Sequence, residues 1–227
     1  MTKVIWHGHL TFSVEHDEVT LLIDPFFEGN PAAKIGKDDV TPHYILVSHG
    51  HADHVGDAAY IAKKTGATVI SNFEIVNWLQ NQGVQNVHPL HIGGGYQFPF
   101  GRVKMTIAHH GSGLPDGSYG GNPGGFLITF TNGKKLYFAG DTALTYDMTL
   151  LADEQVDVAI LPIGDNFTMG PDDALKAVKF IQPKVVIPAH YNTWPLIEQD
   201  PHAFKARVEA ETSARCVVLE VEGSYDF

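Results

Sequence analysis

Residues 48–54 read Ser48-His49-Gly50-His51-Ala52-Asp53-His54, and this segment constrains the fold more than any other. It follows the continuous apolar run 44–47 and precedes a stretch with helical spacing over 55–65. It therefore sits where a buried strand ends and the chain turns into a helix. His49 and His51 are two residues apart, so in extended chain their side chains point to one side. Both imidazoles then reach a single metal ion at the usual zinc–nitrogen distance of about 2.0–2.1 Å. Asp53 and His54 lie on the turn, diverge from the first pair and address a second ion. Gly50 and Ala52 are small enough for the loop to wrap closely. Surface histidines, or Asp53 acting only as a helix cap, would not require three imidazoles and a carboxylate within six residues.

The rest of the chain supplies strands and helices in alternation. Runs 3–6, 11–15 and 20–23 have β-type composition and are separated by turn residues. A strand at 44–47, the helix at 55–65 ending before Gly66, a strand at 68–70 and a helix at 74–82 stopped by Gly83 follow. Strands are expected at 87–90, 96–98 and 102–108. A glycine-rich loop with two prolines spans 111–125; such a length without regular structure points to a functional loop that covers a pocket. Runs 126–130 and 135–139 form a hairpin around Asn132-Gly133. The pattern then gives a helix at 144–152, a strand at 156–161, a helix at 171–181, a strand at 185–187, a helix at 203–212 and a closing strand at 216–219. Two strand sets, each followed by helix–strand alternation, are satisfied by two packed sheets with helices outside. With 227 residues and no linker or charge block, residues 1–227 read as one domain.

Other metal-ligand candidates fall at expected strand ends: His109 and His110 after 102–108, Asp141 after 135–139, and His190 after 185–187. Alone, Asp141 is as well explained as a helix cap and His190 as a hydrogen-bonded strand-end histidine. Their shared position carries the argument, because groups at the same ends of successive strands converge on one edge of a fold.

Composition excludes several classes. The chain is 44% hydrophobic and 18% charged, ordinary for a globular protein. No apolar run approaches the roughly 18 residues of a membrane span, and the start of the chain lacks an export pattern. The single Cys216 rules out an intrachain disulfide and reads as a buried strand thiol, in keeping with a reducing, cytoplasmic setting. A net charge of −11 without a Lys/Arg cluster argues against nucleic-acid binding. The partner expected is a small molecule; a homo-oligomer is left open.

With these residues in view, the chain resembles the metallo-β-lactamase superfamily, whose His-x-His-x-Asp-His motif is followed by a later His, an Asp and a final His. Within it, the chain is similar to a bacterial and archaeal branch of metal-dependent hydrolases. The segments carrying that closer match are Trp6-His7-Gly8-His9-Leu10-Thr11-Phe12, residues 47–57, the stretch 161–171 with its Gly164-Asp165-Asn166-Phe167-Thr168-Met169-Gly170, and Pro188-Ala189-His190-Tyr191-Asn192-Thr193. The resemblance implies an α/β four-layer αββα sandwich of two mixed sheets face to face with helices outside. It implies two divalent ions, zinc being best suited to the histidine-rich set, with manganese, iron and nickel also able to use it. His49, His51 and a third histidine would bind the first ion, Asp53, His54 and His190 the second, and Asp141 would bridge them. His110 is favoured over His109 as the third histidine because it precedes the small turn Gly111-Ser112. Asp24 would brace the metal loop by hydrogen bonds. His9 either lines the site or is structural. Asp165, Asn192, His9 and His109 are further polar candidates for contacting substrate, and Asp165 is equally placed to cap the turn before Pro171.

Two such ions can share a hydroxide that is nucleophilic at neutral pH while one polarises a carbonyl or phosphoryl oxygen. Asp53 would orient the hydroxide or take its proton, and Asp141 would set the metal spacing. The function expected is hydrolysis of a small ester, lactone, amide or phosphodiester, and the cationic centre suits an anionic substrate. The alternatives are a non-catalytic metal-binding or regulatory protein and a mononuclear iron dioxygenase on the same fold.

Overall fold

The computed structural model describes residues 1–227. Its first sheet has strands β1 (Thr2–Trp6), β2 (Phe12–His16), β3 (Val19–Ile23), β4 (Tyr44–Leu46), β5 (Thr68–Asn72) and β6 (Val87–Leu90) in spatial sequence, with β14 (Ser224–Asp226) added antiparallel outside β1. The second sheet runs β7 (Gly95–Phe98), β8 (Gly101–Ile107), β9 (Gly124–Phe130), β10 (Lys135–Phe138), β11 (Val158–Pro162), β12 (Val185–Ala189) and β13 (Arg215–Cys216). Both sheets are mixed: each begins with antiparallel hairpins, and β3–β6 and β10–β13 are parallel. That is the four-layer arrangement expected from the alternation of elements.

Side-chain alternation decides the faces. On β3, Leu21 and Ile23 enter a cluster of 46 buried residues that fills the space between the sheets and continues under the helices of the second, together with Phe12, Phe126, Phe138 and Ile160. Leu22, between them, points the other way into a second cluster of 16 with Ile45, Val47, Val69, Ile61, Ile75 and Leu79. The helices covering this outer face are α1 (Ala52–Val55), α2 (Ala58–Thr65) and α3 (Phe73–Asn81). On the other sheet, α4 (Pro171–Ile181) and α5 (Pro201–Glu211) bury Ala174, Val178, Phe204 and Val208. No helix is long and apolar enough to cross a membrane.

Four local expectations are corrected. The helix expected at 55–65 is two helices broken at Gly56-Asp57, because the Asp57 carboxylate accepts from the Phe27 and Glu28 N–H groups at 2.7 and 3.0 Å, and its own N–H donates to Pro25 O. The helix expected at 144–152 is a 3-10 segment, Tyr146–Glu154, in which Thr149 donates its hydroxyl to Tyr146 O and competes with α-helical bonding. The closing strand at 216–219 stops at Cys216, since the chain must leave that sheet to reach β1 of the other as β14. The loop at 111–125 ends at β9, which starts at Gly124, and it does not line the cavity beside His51 and Asp53. Instead Ser112 Oγ accepts from Gly50 N and donates to Gly120 O, while Leu114 packs into the outer core, so the loop buttresses the 48–54 segment from behind. Cys216 is buried, and burial pushes its thiol up to about 12, as befits an inert strand residue.

Candidate metal centre

The loops at the C-terminal ends of β4, β8, β10, β11 and β12 meet at one edge of the sandwich. His49 and His51 leave β4, and His110 follows β8. Their donor atoms lie within 4.8 Å of one another, with His49 Nε2 and His51 Nδ1 3.0 Å apart. His109, by contrast, is exposed and joins no donor cluster; the turn carries its ring outward while its backbone is tied to Thr142 and Ala143. Asp53, His54 and His190 form a second cluster with donor atoms within 4.8 Å, and His9 belongs to it. Between the two clusters lies Asp141, placed by Gly140 in the left-handed region (φ 67°). Its Oδ2 is 3.4 Å from His54 Nε2, 3.5 Å from His110 Nε2 and 3.1 Å from His190 Nε2.

Asp24 organises these candidate ligands from beneath. Fully buried, it accepts at Oδ1 from Ser48 N (2.7 Å) and at Oδ2 from the Ser48 hydroxyl (2.6 Å) and His54 Nδ1 (2.9 Å). Because the Ser48 hydroxyl proton goes to Asp24, its oxygen is left to accept from His49 Nδ1 at 2.9 Å. Both imidazoles thereby donate from Nδ1, and Nε2 is the nitrogen that each turns to the centre. Asp24 itself is pushed up by burial, with His54 and Ser48 pulling the other way.

The donor set fits metal. His54 Nε2 and Asp141 Oδ1 are buried without a hydrogen-bond partner, which is costly unless another group meets them. Burial opposes charge on Asp53 and Asp141, yet the neighbouring histidines hold both carboxyls well below their usual range. His49 is held well below the ordinary histidine value by burial and by His54, and His110 is lowered by burial. His54 is buried too, but Asp141, Asp24 and Asp53 together hold it well above that value. Carboxylates and unprotonated imidazoles are the forms that bind divalent ions, so an ion at His54 would take the place of the proton that its three carboxylate neighbours favour there.

His9 is fully buried, and burial lowers it to about 4, so it is neutral at pH 7. Its Nε2 donates to Asp53 Oδ2 (3.1 Å), and its Nδ1 accepts from the Thr193 hydroxyl (2.8 Å). Asp165 and Asn192 are not brought to the cavity. Asp165 is exposed and accepts from Asn166 N, while Asn192 accepts from Gln199 N to shape its own loop.

Above the ligands lies a cavity of about 590 Å³ floored by His51, Asp53, His110, Asp141 and His190, with walls of Phe26, Phe167, Trp194 and Leu196. Sequence reasoning missed these walls. The available signal was apolar residues in polar loops: Phe167 after Asp165-Asn166, and Trp194 and Leu196 after Asn192-Thr193.

Two helix-flanked mixed sheets with a His-x-His-x-Asp-His loop at the strand ends define a protein of the metallo-β-lactamase type. Residues 20–191 match the family model described as the beta-lactamase superfamily domain. The chain is 53% identical over 223 residues to a UPF0173 metal-dependent hydrolase of Desulforamulus reducens, covering 96% of each protein. It is 51% identical over 227 residues to one of Heliobacterium modesticaldum, covering 96% of this chain and 94% of that one. Its fold superposes on Igni18, a metallo hydrolase from Ignicoccus hospitalis, with a TM-score of 0.89 and 36% identity over 100% of this chain and 99% of that one. The chain therefore belongs to the metallo-β-lactamase superfamily, among its UPF0173 metal-dependent hydrolases.

Proposed function

We propose that the chain is a dinuclear hydrolase of small-molecule esters, lactones, amides or phosphodiesters. His49, His51 and His110 would hold one divalent ion, Asp53, His54 and His190 the other, and Asp141 would reach both. The observation that carries this reading is the position of Asp141 Oδ2, within 3.5 Å of His110 from one cluster and of His54 and His190 from the other. Zinc suits the donor chemistry best. When bound, such ions supply an activated water near neutral pH and polarise the scissile carbonyl or phosphoryl oxygen.

The chain's own groups supply the rest. Asp53 is ionised and partly exposed to the cavity, so it can orient a water and accept a proton. His9 keeps its carboxylate turned towards the cavity. Asp24, through Ser48 and His54, fixes the tautomers on which the ligand set depends. The test is metal analysis of untagged protein by inductively coupled plasma mass spectrometry, followed by a hydrolase screen with the metal found. About two ions per chain, reduced in Asp141→Ala, and turnover of at least one linkage class are expected. A protein that takes up no zinc or manganese on reconstitution would overturn the proposal.

A further inference from the structure

The cavity's walls bear on substrate class. None of the residues lining it is a lysine or arginine. The only full charges at its surface are the carboxylates of the metal centre, Asp53 and Asp141, and Asp24 adds a third acid, fully buried, behind His54. What rises above the ligands is apolar: Phe26 and Trp194 with ring centroids 6.2 Å apart, and Phe167 and Leu196 at the rim. Phe167 and Leu196 keep 49% and 66% of their surface exposed although they sit on loops rich in polar residues. Trp194 is anchored edge-on against His9 at 4.8 Å, which fixes that wall relative to Asp53. A sugar phosphate, a nucleotide or a dicarboxylate would bring a second charge into this space with no cation outside the metal centre to meet it, and an unpaired charge against apolar walls is costly. An uncharged alkyl or aryl group would instead remove Phe167, Leu196 and Trp194 from water.

We infer that the site selects substrates whose portion beyond the scissile group is uncharged and apolar, an alkyl or aryl ester, lactone or amide, with Phe26, Phe167, Trp194 and Leu196 as its binding wall. This rests on the hydrolase reading above and narrows it. The expectation of an anionic substrate is thereby confined to the charge that develops on the scissile group.

The test separates binding from turnover. Zinc-loaded protein is titrated calorimetrically with alkyl hydroxamates from acetohydroxamate to octanohydroxamate, and with chains of matched length ending in a carboxylate. Affinity is expected to rise by about fourfold per methylene until the wall is covered, and the carboxylate-tipped chains should bind at least tenfold more weakly than their alkyl counterparts. Phe167→Ala and Leu196→Ala, both at exposed positions, should flatten the chain-length dependence, weakening octanohydroxamate far more than acetohydroxamate. A flat series in the wild type, or tighter binding of the carboxylate-tipped chains, would overturn the inference. So would variants that keep the chain-length dependence but change the oligomeric state, because the wall would then be a contact between copies. The same proteins are assayed with p-nitrophenyl acetate, butyrate and octanoate. Chain-length-dependent binding with no ester turned over would count against the hydrolase reading and leave the apolar preference standing.

Discussion

His9 Nε2 lies 3.1 Å from Asp53 Oδ2, and the opposite nitrogen of the same ring lies 2.8 Å from the Thr193 hydroxyl. One buried imidazole thus joins the turn after β1 to the metal loop and to the loop that follows β12. Its backbone is fixed as firmly as its ring. His9 has φ 52°, and its carbonyl accepts from both Trp6 Nε1 and His190 N. A non-glycine residue held in the left-handed region at such a junction marks a position set by its surroundings.

Removing that ring should be felt in metal binding as well as in stability. His9→Ala leaves a cavity and strips Asp53 and Thr193 of a partner, at a cost of about 2–4 kcal/mol. Occupancy of the ion reached by Asp53 should fall. His9→Gln, which can still donate to one neighbour and accept from the other, should recover much of both. Ion content per chain and denaturation midpoint read the two effects separately. If His9→Ala keeps its full ion content and wild-type midpoint, the ring does not position Asp53.

The candidate donor cluster was legible in the sequence because metal sites need particular residue types at particular spacings. The 49–54 segment states most of one, and Asp141 and His190 follow from strand ends. The choice of His110 over His109 rested on resemblance, because adjacent residues in an extended chain face opposite ways and the register of β8 is set by tertiary packing. The role of His9 was hidden for a related reason: its partners Asp53 and Thr193 are 44 and 184 residues away in sequence. The apolar wall could be suspected from apolar residues in polar loops but not placed, because a residue in a loop has no periodicity to betray its direction. Likewise β14 could not be read from 224–226, whose polar composition becomes a strand only by pairing with β1.

Asp24 touches no ligand position on the cavity side, yet it should control metal affinity. Asp24→Asn keeps the shape but replaces one acceptor oxygen by an NH2 group, so Ser48 and His54 can no longer both donate as they do now. Zinc affinity should drop by about 10- to 100-fold, the usual effect of losing such a supporting acceptor, as measured by competition with a chromophoric chelator. Wild-type affinity in Asp24→Asn would mean that the histidine tautomers are set elsewhere.

The metal-free protein should weaken as the pH is lowered from about 6.5 to 4. Unfolded histidines take up protons near 6.5. Burial prevents His9 from doing so until about 4 and also lowers His49 and His110. The unfolded state therefore binds more protons in that window, and stability falls with pH; His9 alone contributes up to about 3 kcal/mol. His54 has the opposite sign: raised by Asp141, Asp24 and Asp53 against its burial, it lends full stability below 6.5 and loses it as the pH rises through its elevated value. Asp53 and Asp141, both depressed, hold their contribution above about 3.8 and lose it below. Urea midpoints at pH 4.5, 6.0 and 7.5 should rise in that order over the acid limb. Zinc binding at pH 7 should release protons, detectable by calorimetry in buffers of different ionisation enthalpy. A midpoint that stays level between pH 4.5 and 6.0 would contradict the assignment of neutral buried histidines.

Gly164 separates geometric damage at the site from general destabilisation. It leaves β11 where that strand passes β12, and a Cβ placed on it would come within 2.2 Å of His190 O and 3.3 Å of His190 Nδ1. Gly164→Ala must push the two strand ends apart, at about 1–3 kcal/mol for overpacking, and the displacement falls on His190 and its contact with Asp141. Gly66 offers the control. It caps α2 with φ 77° and has nothing within 4 Å of a built Cβ, so Gly66→Ala costs about 1–2 kcal/mol of backbone strain alone. The two variants should lose comparable stability. Gly164→Ala should retain only about one ion per chain, because His49, His51 and His110 are untouched, while Gly66→Ala should keep both. Equal ion content in the two variants would show that the spacing of the β11 and β12 ends does not determine occupancy at His190.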